Sequence, residues 1–435
     1  MRMTDTPKGI KITTKLLFPA FACGAATLAS AGVIYSDLQN LAIPKNNDGI
    51  YLNVVTGATG VAPIDGWHVN PTFGGINFYN NSTFQPLREG NTGIDKLRNI
   101  ATGGLISSVS TNFATGMGVS FDHLGTTFTA GSEGYIGFSV KNGITNYGWM
   151  RVVFTGTGTP VIKDWAYDTS GGSLAAGNVI QSGSTYTLDS TSQSFALGSA
   201  ITGANSVIKI GANTTTLSAT NTYTGNTTVS AGTLALSNSG SITNSTSIAV
   251  ASGAILDVSA VSSNWTVGAG QTLTGGGGVT GNTTIAGTHN SGDAGVGSQA
   301  IAGTLSYANG SIFEWDLNAS STSSGFDTVS ATGSIDVGTT GTVFKIIFGS
   351  TALSDITTGN GFWNPVGGSQ TWSFADIFGK AFTSGAFQSV ATNHDVSNYG
   401  SFTISGSSLT WSAVPEPTSA LVAILLGAGL LRRRR

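Results

Sequence analysis

One pair of carboxylic acids in the sequence is spaced for chemistry on a sugar polymer. Glu314 and Asp316 stand two positions apart, so on a β-strand both side chains project from the same face. Glycoside hydrolysis uses two carboxyl groups about 5–10 Å apart. In the repetitive middle of the chain the only basic residues are Lys209 and Lys345, one at each end. We expect two solvated carboxylates flanking an inward Trp315. A groove with either carboxyl near a basic group and with a perturbed pKa would instead favour an enzyme.

The histidines and the other carboxylates form no recognisable site. The histidines are widely separated in the sequence, at His68, His123, His289 and His394. No two of them stand at zinc-ligand spacing, so no zinc motif is present. Glu133 with Asp164 or Asp168, in the first part of the chain, makes no better catalytic pair. The sequence therefore predicts no catalytic residue, no metal ligand and no cofactor.

Three short motifs have simpler structural explanations. His394-Asp395 stands among many serines, which hints at a catalytic triad, but no Gly-x-Ser-x-Gly elbow accompanies it. The four glycines at 275–278 lack the Lys-Ser/Thr of a phosphate loop and are more simply a corner between strands. Residues 46–49, Asn-Asn-Asp-Gly, could hold calcium in a turn, yet Asn-Asp-Gly makes such a turn unaided.

The composition fits an exported protein and excludes a nucleic-acid binder. Charged residues are only 9% of the 435 residues and glycine numbers 62, so Thr, Ser, Asn and Gly must make most of the surface. Eight of the 18 basic residues but only two of the 21 acidic ones lie in the terminal segments, 1–31 and 413–435. Without those segments the chain has 10 basic and 19 acidic residues, a net charge of −9. A body this acidic has no electrostatic footprint for nucleic acid.

Residues 1–31 have the order of a secretory signal peptide. They contain positive charges, an apolar stretch and a small-residue cleavage site, which are Lys8, Lys11 and Lys15, residues 16–28, and Ala29-Ser30-Ala31. The alternative is a first core helix, but charge, length and the Ala-x-Ala motif coincide here. The only cysteine, Cys23, lies in this segment. A chain cleaved after Ala31 would have neither disulfides nor cysteine ligands for a metal.

Residues 32–204 predict a β-sandwich. The runs 134–140 and 147–154 are rich in β-branched and aromatic residues and flank Lys141-Asn142-Gly143, a hairpin-turn signal. Short, regularly spaced strands with no helical period favour a sandwich. We expect the aromatic residues to fill its core, because aromatic side chains bury the most area. The alternative is a surface platform for sugar rings, made by Trp67, Tyr147 and Trp165.

Residues 205–348 contain a repeat that predicts a parallel β-solenoid. Glycines that follow short apolar strands recur at 232, 253, 270, 287 and 303, in steps of 21, 17, 17 and 16 residues. Residues 224–229 also return almost intact as residues 280–285. A unit of this size cannot bury its own inner face, so the copies must stack. We expect Val, Ile and Leu to point inward, and Asn and Thr to form hydrogen-bonding rows between coils.

The same block resembles the autotransporter-associated β-strand repeat. The hallmark Asn-Thr-Tyr-Thr-Gly-x-Thr-x-Val-x-x-Gly-x-Leu is matched by residues 221–234, and residues 310–317 and 325–329 resemble closing coils of that family. The resemblance implies a passenger-type β-helix. An autotransporter also ends in a membrane barrel, and no series of amphipathic strands long enough for one follows here. We therefore expect a passenger-type body with a different export route.

Residues 349–412 are expected to cap the open end of the solenoid. Aromatic residues return in this stretch, at Phe362, Trp363, Trp372, Phe374, Phe378, Phe382 and Phe387. Phe402 and Ile404 alternate against Leu409 and Trp411 across a Ser-Gly-Ser-Ser turn, which predicts a terminal hairpin. Exposed strand edges invite pairing with other chains, so a solenoid needs such a cover.

Residues 413–435 have the order of a processing signal. The motif Val414-Pro415-Glu416-Pro417 is followed by an uncharged apolar run, residues 419–431, and then by Arg432, Arg433, Arg434 and Arg435. As a helix, the 13 apolar residues would cover about 20 Å, which is short of a hydrocarbon core of about 30 Å. The arginines would hold the C-terminus on the cytoplasmic side. The segment therefore predicts transient membrane insertion and not a permanent anchor.

This order of motif, apolar run and arginine cluster resembles the PEP-CTERM sorting tag. The resemblance covers the 22 residues from Val414 to Arg435. It implies a processing partner, the membrane transpeptidase called exosortase, which acts near Pro415-Glu416-Pro417. It also implies a bacterium that makes exopolysaccharide, so exopolysaccharide is the second expected partner. The resemblance assigns an address and a processing route, and no activity.

Together these patterns predict an all-β fold with hydrophobic helices at both termini. The expected parts are a signal peptide (1–31), a β-sandwich (32–204), a right-handed parallel β-helix or solenoid (205–348), a β cap (349–412) and a sorting signal (413–435). We expect a secreted, non-enzymatic structural or adhesive protein of the cell surface or extracellular matrix, membrane-associated only during processing. The alternative is a β-helix polysaccharide lyase or hydrolase.

Overall fold

The computed structural model describes residues 32–44, 49–72, 75–78, 83–92, 95–114, 128–153, 161–237, 239–261, 264–293, 295–364 and 369–414. Within these ranges the chain is built mostly from β-strands, with two short helices near the end, so the predicted all-β class is confirmed. The predicted terminal hydrophobic helices fall in residues 1–31 and 415–435, outside the described ranges. Among the described residues, no helix combines the length and apolar character needed to cross a bilayer.

The first part of the described chain forms strands β1 to β13. They are β1 (Val33–Tyr35), β2 (Leu41–Ala42), β3 (Tyr51–Leu52), β4 (Thr59–Gly60), β5 (Val69–Thr72), β6 (Gly75–Phe78), β7 (Phe84–Pro86), β8 (Asn99–Ile100), β9 (Leu105–Ile106), β10 (Glu133–Asn142), β11 (Ile144–Val153), β12 (Val161–Asp168) and β13 (Leu174–Ala175). Strands β10, β11, β12 and β1 are neighbours in one antiparallel sheet.

Strands β10 and β11 form the predicted hairpin. Glu133 pairs with Val153 at its open end and Asn142 pairs with Ile144 at the turn. Gly143, between the last pair, has a φ of 76°, a left-handed conformation that glycine adopts without steric cost. The turn signal and the two strand-forming runs beside it are therefore confirmed.

Two layers enclose the core of this first part. A smaller sheet, in the order β4-β3-β5-β6, packs on one face of the antiparallel sheet. The buried layer between them includes Leu52 and Val69 from the small sheet and Phe138, Met150 and Trp165 from the large one, each at most 2% exposed. The two sheets therefore pack face to face around this core, and the assignment of residues 32–204 as a sandwich domain stays a prediction.

The middle of the chain forms strands β14 to β33. They are β14 (Val179–Ser182), β15 (Thr185–Asp189), β16 (Phe195–Leu197), β17 (Ser206–Ile210), β18 (Thr214–Leu217), β19 (Thr227–Val229), β20 (Thr233–Leu236), β21 (Ser247–Val250), β22 (Ile255–Asp257), β23 (Trp265–Val267), β24 (Thr272–Thr274), β25 (Gly278–Thr280), β26 (Thr283–Ile285), β27 (Thr288–Asn290), β28 (Ser298–Ala302), β29 (Leu305–Tyr307), β30 (Ile312–Leu317), β31 (Thr328–Ala331), β32 (Ile335–Val337) and β33 (Val343–Phe348).

These strands stack in parallel as the coils of a solenoid, as the repeat predicts. One sheet runs β16-β18-β20-β22-β25-β28-β31, and a second runs β15-β17-β19-β21-β24-β27-β30-β33. A third, β23-β26-β29-β32, begins further along the chain. From β23 onward each coil therefore contributes one strand to each of three sheets.

The sandwich and the solenoid share one sheet. Strand β1 pairs antiparallel with β12 on one side and parallel with β16 on the other. Parallel pairing thus begins before residue 205, and the large sheet runs through that position without interruption. A single cluster of buried apolar side chains, which includes residues from Val33 to Trp411, spans both parts of the chain.

Stacked aliphatic side chains fill the solenoid. In the first sheet Leu234, Leu256, Val279 and Ile301 occupy the same register position in successive coils, each at most 1% exposed. Each such side chain contributes about 1.5–3 kcal/mol by leaving water. The inward orientation predicted for the aliphatic residues is confirmed.

The repeated glycines serve two different needs. Gly232 has a φ of 63°, which a residue with a side chain rarely adopts. At Gly287 space is the limit, because an added Cβ would lie 2.3 Å from the carbonyl oxygens of Gly268 and Gln271. Both glycines let the chain turn close against the neighbouring coil.

Asn221 shows how polar side chains join the coils. Its Oδ1 accepts a hydrogen bond from the backbone N of Ile201 (2.8 Å), and its Nδ2 donates to the carbonyls of Ala219 (3.0 Å) and Ser241 (3.1 Å). Since the side chain is only 2% exposed, these bonds satisfy groups that water cannot reach. The predicted hydrogen bonding between coils is confirmed at this residue.

The last part of the described chain covers the end of the solenoid. It comprises α1 (Ser350–Thr358), β34 (Ser369–Ser373), α2 (Phe374–Ile377), β35 (Ser389–Thr392), β36 (Gly400–Ser405) and β37 (Ser408–Ala413). Strand β35 extends the second solenoid sheet in parallel, while β34, β37 and β36 form a separate antiparallel sheet.

Aromatic side chains attach this cap to the solenoid. The ring of Trp372 lies 5.8 Å from that of Trp315, a solenoid residue, and 5.9 Å from that of Trp363. The indole N–H of Trp411 donates to the carbonyl of Trp363 (2.8 Å). Phe402 pairs with Trp411 across β36 and β37, as the predicted hairpin requires.

Candidate functional site

The register of three parallel strands builds a polar row near the end of the second solenoid sheet. Asn290 in β27 pairs with Glu314 in β30, which pairs with Lys345 in β33. Asp316 stands two residues beyond Glu314 and projects from the same face. Trp315, between the two acids, points inward and is fully buried, as predicted. Three coils therefore bring together residues that are distant in the sequence.

Glu314 and Lys345 form an ion pair, with the Lys345 Nζ 2.8 Å from Oε1 of Glu314. The two side chains keep 24% and 35% of their exposure, so the pair is half-buried. The two residues are 31 positions apart in the sequence, so their spacing alone did not predict the contact. The expectation of a solvated Glu314 holds only in part, because stacking of β33 on β30 places a cation against it.

Asp316 is only 8% exposed, so the expectation that it is solvated is wrong. The side-chain amide of Asn290 donates to its Oδ2 (3.2 Å). Burial raises the pKa of Asp316, while the hydrogen bond from Asn290 acts in the opposite direction. The carboxyl is covered because the chain leaves β30 and returns, with Phe326 pairing with Leu317.

The returning chain places a second carboxyl, that of Asp327, against Asp316. Asp327 has no exposed surface, and its oxygens accept backbone hydrogen bonds from Gly297 (2.6 Å) and Asp316 (3.1 Å). Burial raises the pKa of Asp327 to about 7, the Asp316 carboxyl adds to the rise, and the backbone N–H groups oppose it. Contact between two carboxyls disfavours the ionisation of both, so the two groups titrate as a pair.

A groove of about 500 Å³ opens onto this cluster. Its polar and apolar walls include Asn290, Glu314, Asp316, Asn318, Val296 and Ile347. Val296 is 44% exposed, so the apolar wall is accessible to a ligand. The groove therefore offers carboxyl and amide groups beside an aliphatic surface. One of its carboxyls, that of Glu314, is paired with the cation Lys345.

Sequence reasoning found Glu314, Asp316 and Lys345 but missed Asp327. Asp327 lies 11 positions after Asp316, beyond any spacing that one strand can bring together. The available signal was the Gly-Phe-Asp-Thr-Val segment at 325–329, which resembles a closing coil. Had that segment been paired with the end of β30, the two acids would have been placed in contact.

The other carboxylate candidate, Glu133 with Asp164, belongs to an ion-pair centre on strands β10, β11 and β12. Arg151 lies between them: its Nη1 is 3.2 Å from Glu133, and its guanidinium holds the buried Asp164 through two hydrogen bonds. The Tyr35 hydroxyl also donates to Asp164 (2.7 Å). Burial raises the pKa of Asp164, and the Arg151 guanidinium opposes that rise. Asp168 instead caps a turn at the backbone N of Ser170 (2.6 Å).

The alternative of a surface sugar platform is wrong. Tyr147 and Trp165 are 9% and 2% exposed and belong to apolar cores, and the Trp165 indole donates to the Val54 carbonyl (2.9 Å). Trp67 is half-buried and packs edge-on against Tyr51, with ring centroids 5.0 Å apart. The expected core role of the aromatic residues is confirmed for Tyr147 and Trp165.

The described histidines are dispersed, and His123 lies outside the described residues. His68 and His289 are buried, and burial lowers the pKa of each to about 4. His289 lies within the solenoid core, where its ring nitrogens contact the Tyr307 hydroxyl (2.7 Å) and the side-chain carbonyl of Gln299 (2.8 Å). Across the described part of the chain, no three His, Asp or Glu side chains are grouped for a metal.

The remaining motifs are structural where they are described. His394 and Asp395 lie in an exposed turn, in which Asp395 accepts a hydrogen bond from the backbone N of Ser397 (2.9 Å). Gly275 has a φ of 102°, and an added Cβ would lie 2.2 Å from the Val250 carbonyl. Residues 275–277 therefore form a corner between β24 and β25, and Gly278 begins β25. The calcium candidate at 46–48 lies outside the described residues.

The processing motif begins where the described structure ends. Val414 is half-exposed, and its backbone N donates to the carbonyl of Tyr399 (2.9 Å). The rest of the motif, the arginine cluster, and the cleavage residues Ala29 and Ala31 lie outside the described residues. These assignments stay predictions.

Comparison with protein families supports the repeat. Residues 207–236 match the family model described as the passenger-associated-transport-repeat. This stretch covers most of β17, all of β18 to β20, and the hallmark at 221–234. The chain therefore carries an autotransporter-associated repeat in a passenger-like β-helical body, which indicates an exported or surface protein. No curated protein and no solved structure matches the chain.

Proposed function

We propose that this chain is an exported, non-enzymatic structural or adhesive protein of the cell surface or extracellular matrix. The observation that carries the proposal is the passenger-type repeat at 207–236, which lies within a continuous stack of parallel coils. In such a body each coil buries its inner face against its neighbours and leaves an extended outer surface. That outer surface is the functional element.

The outer rows of the solenoid suit contact with hydrated polysaccharide. Thr214 pairs with Thr233, and Thr272 pairs with Thr288, at half-buried outward positions of successive coils. Because charged residues are only 9% of the chain, these rows present hydroxyl groups on a surface with few charges. Exopolysaccharide, which is rich in hydroxyl groups, is therefore the proposed environment and partner.

The proposed processing partner is an exosortase-type membrane transpeptidase. The folded cap extends to Val414, so the Pro415-Glu416-Pro417 motif follows directly after it. The apolar run and the arginines Arg432 to Arg435 would insert only transiently, because the run is too short for a stable span. After processing, the body stays at the cell surface or in the matrix.

Fractionation of producing cells tests this function. We expect the full chain at the surface or in the matrix, with a mass below that encoded, and a chain lacking residues 414–435 in the medium or periplasm. A full-length chain with Pro415→Ala and Pro417→Ala separates the motif from the apolar run, and we expect it to keep its C-terminus. Recovery of the unaltered chain from the cytosol with both termini intact would overturn the proposal.

A second function, a polysaccharide lyase or hydrolase, is favoured by the groove. Glu314 lies 2.8 Å from Lys345, and Asp316, whose pKa burial raises, lines the same groove. Two positions along a strand separate the acids by roughly 6–7 Å, within the range that glycosidases use. Release of new reducing or unsaturated ends from a polysaccharide, abolished by Glu314→Gln, would establish the enzyme. An equal rate in both proteins would exclude this groove as its active site.

A further inference from the structure

The groove concentrates charges that the rest of the solenoid avoids. From position 205 to position 345 the chain has eight charged residues. Two of them, Glu314 and Asp316, line the groove, and two more contact these, Lys345 at Glu314 and the buried Asp327 at Asp316. Burying Asp316 and Asp327 costs free energy that an aliphatic pair would not cost. Lys209 is also buried in the solenoid, but its ammonium group donates to three backbone carbonyls, whereas no cation contacts the Asp327 carboxyl among the described residues.

The charges of the groove select against an anionic ligand. Lys345 is already paired with Glu314, and among the described residues no cation contacts the carboxyls of Asp316 and Asp327. The four groups together are therefore net negative near neutral pH. A uronate or phosphate would meet this charge without a free cation to offset it.

The remaining surface of the groove matches a hydroxyl-rich molecule with an aliphatic face. Glu314 and Asp316 present acceptor oxygens, and the exposed Asn318 contributes an amide. Val296, 44% exposed, and the half-buried Ile347 form the apolar wall. A pyranose ring has both features, since its hydroxyl groups lie around a ring whose faces are C–H bonds.

We propose that this groove binds a neutral saccharide segment, with Glu314 and Asp316 accepting hydrogen bonds from its hydroxyl groups and Val296 contacting its C–H face. The biological setting of this site depends on the proposed surface function. The binding itself is a property of the groove and does not depend on the route of export. Failure of one proposal is therefore distinguishable from failure of the other.

Titration calorimetry on the protein recovered from producing cells tests the site. The probes are three neutral hexasaccharides, cellohexaose, maltohexaose and xylohexaose, and one acidic hexasaccharide, hexagalacturonate. We expect at least one neutral probe to bind and hexagalacturonate not to bind. Binding of hexagalacturonate in preference to all neutral probes, or binding of none of the four, overturns the proposal.

Three variants and one control locate the binding. Glu314→Gln and Asp316→Asn should each weaken binding at least tenfold. Val296→Trp, at an exposed position, should block the groove without altering the acids, which keeps the test valid if an acid variant unfolds. Thr228→Ala is the matched control, because Thr228 occupies the same outward register row several coils away. Unchanged affinity in Val296→Trp, or equal loss in Thr228→Ala, would refute the assignment.

Discussion

Asp164 in the sandwich and Asp327 near the end of the solenoid are both buried carboxylates, but their surroundings differ. Asp164 is held by the guanidinium of Arg151 and the hydroxyl of Tyr35. Asp327 contacts two backbone N–H groups and the carboxyl of Asp316, and no cation contacts it among the described residues. Burial raises the pKa of both acids, yet only Asp164 has an opposing positive charge.

The difference separates a structural site from a functional candidate. The Arg151–Asp164 pair lies between strands β11 and β12, where a fully bonded pair fixes the register. The Asp316–Asp327 pair opens through Asp316 onto a groove, and burial raises the pKa of both carboxyls without an opposing cation. A buried acid with a dedicated cation is inert at neutral pH, whereas an acid near its pKa responds to pH and to ligands.

The largest effect should follow loss of the cation in the sandwich. Arg151→Ala leaves the Asp164 carboxylate buried without a counter-charge, and we expect the free energy of unfolding to fall by about 3–5 kcal/mol. Urea unfolding of both proteins measures the difference. Asp168→Asn, in the turn after β12, is the control and should change stability by less than about 0.5 kcal/mol. A loss below about 1 kcal/mol in Arg151→Ala would mean that the pair is not structural.

The next effect is a pH dependence specific to Asp327. Because its folded pKa, about 7, exceeds the ordinary value of 3.8, the folded state holds its proton more tightly. The tighter proton binding stabilises the folded state fully below about pH 4, and this stabilisation is lost as the pH rises through 7. The wild type should therefore lose stability from pH 4 to pH 8 through this group, whereas Asp327→Asn should not. We expect the free energy of unfolding of Asp327→Asn, relative to that of the wild type, to rise by roughly 3 kcal/mol over this range.

Urea unfolding at several pH values measures this gain for Asp327. The buried His289 acts in the opposite sense, since its pKa is lowered to about 4 and its contribution is lost as pH falls below about 6.5. Because both proteins contain His289, its effect cancels in the difference. Stability curves that stay parallel from pH 4 to pH 8 would contradict the buried, cation-free account of Asp327.

A smaller effect should follow loss of a bond between coils. Asn221→Ala removes three hydrogen bonds and leaves the buried N–H of Ile201 without its partner, so we expect a loss of about 2 kcal/mol. The exposed Asn226, which accepts one bond from Thr246, is the control, and Asn226→Ala should cost under about 0.5 kcal/mol. Thermal or urea unfolding distinguishes the two, and equal losses would mean that the buried position of Asn221 does not matter.

The smallest effect should follow loss of the ion pair in the groove. Lys345→Met breaks the contact with Glu314, but both side chains reach solvent, so we expect a change under about 1 kcal/mol. The same urea assay compares it with Arg151→Ala. A loss as large as that of Arg151→Ala would remove the distinction between the two regions.

The sequence predicts the coils because their cause is local and repeated. Glycine at regular steps, as at Gly232 and Gly287, and aliphatic residues at alternate positions specify turns and inward rows. The two hairpins, β10–β11 and β36–β37, were predictable for the same reason, since each turn lies between alternating strands. Such features depend on neighbouring residues only.

The sequence does not predict features that depend on register between distant segments. Lys345 reaches Glu314 only because β33 stacks on β30 at one particular offset. Asp327 covers Asp316 only because the intervening segment returns to the strand that it left. The continuity of the large sheet through β1 and β16 has the same origin, since the two strands lie about 160 residues apart. The spacing of residues along the sequence does not specify any of these contacts.

The central claim is that this weakly charged scaffold concentrates charged groups at one groove, behind which burial and the Asp316 carboxyl raise the pKa of Asp327. Carbon-13 NMR of aspartate-labelled protein measures it directly by following each side-chain carboxyl from pH 3 to pH 9. We expect a titration near pH 7 that disappears in Asp327→Asn. If no aspartate carboxyl titrates above about pH 5, in the ordinary range for this side chain, the claim is wrong.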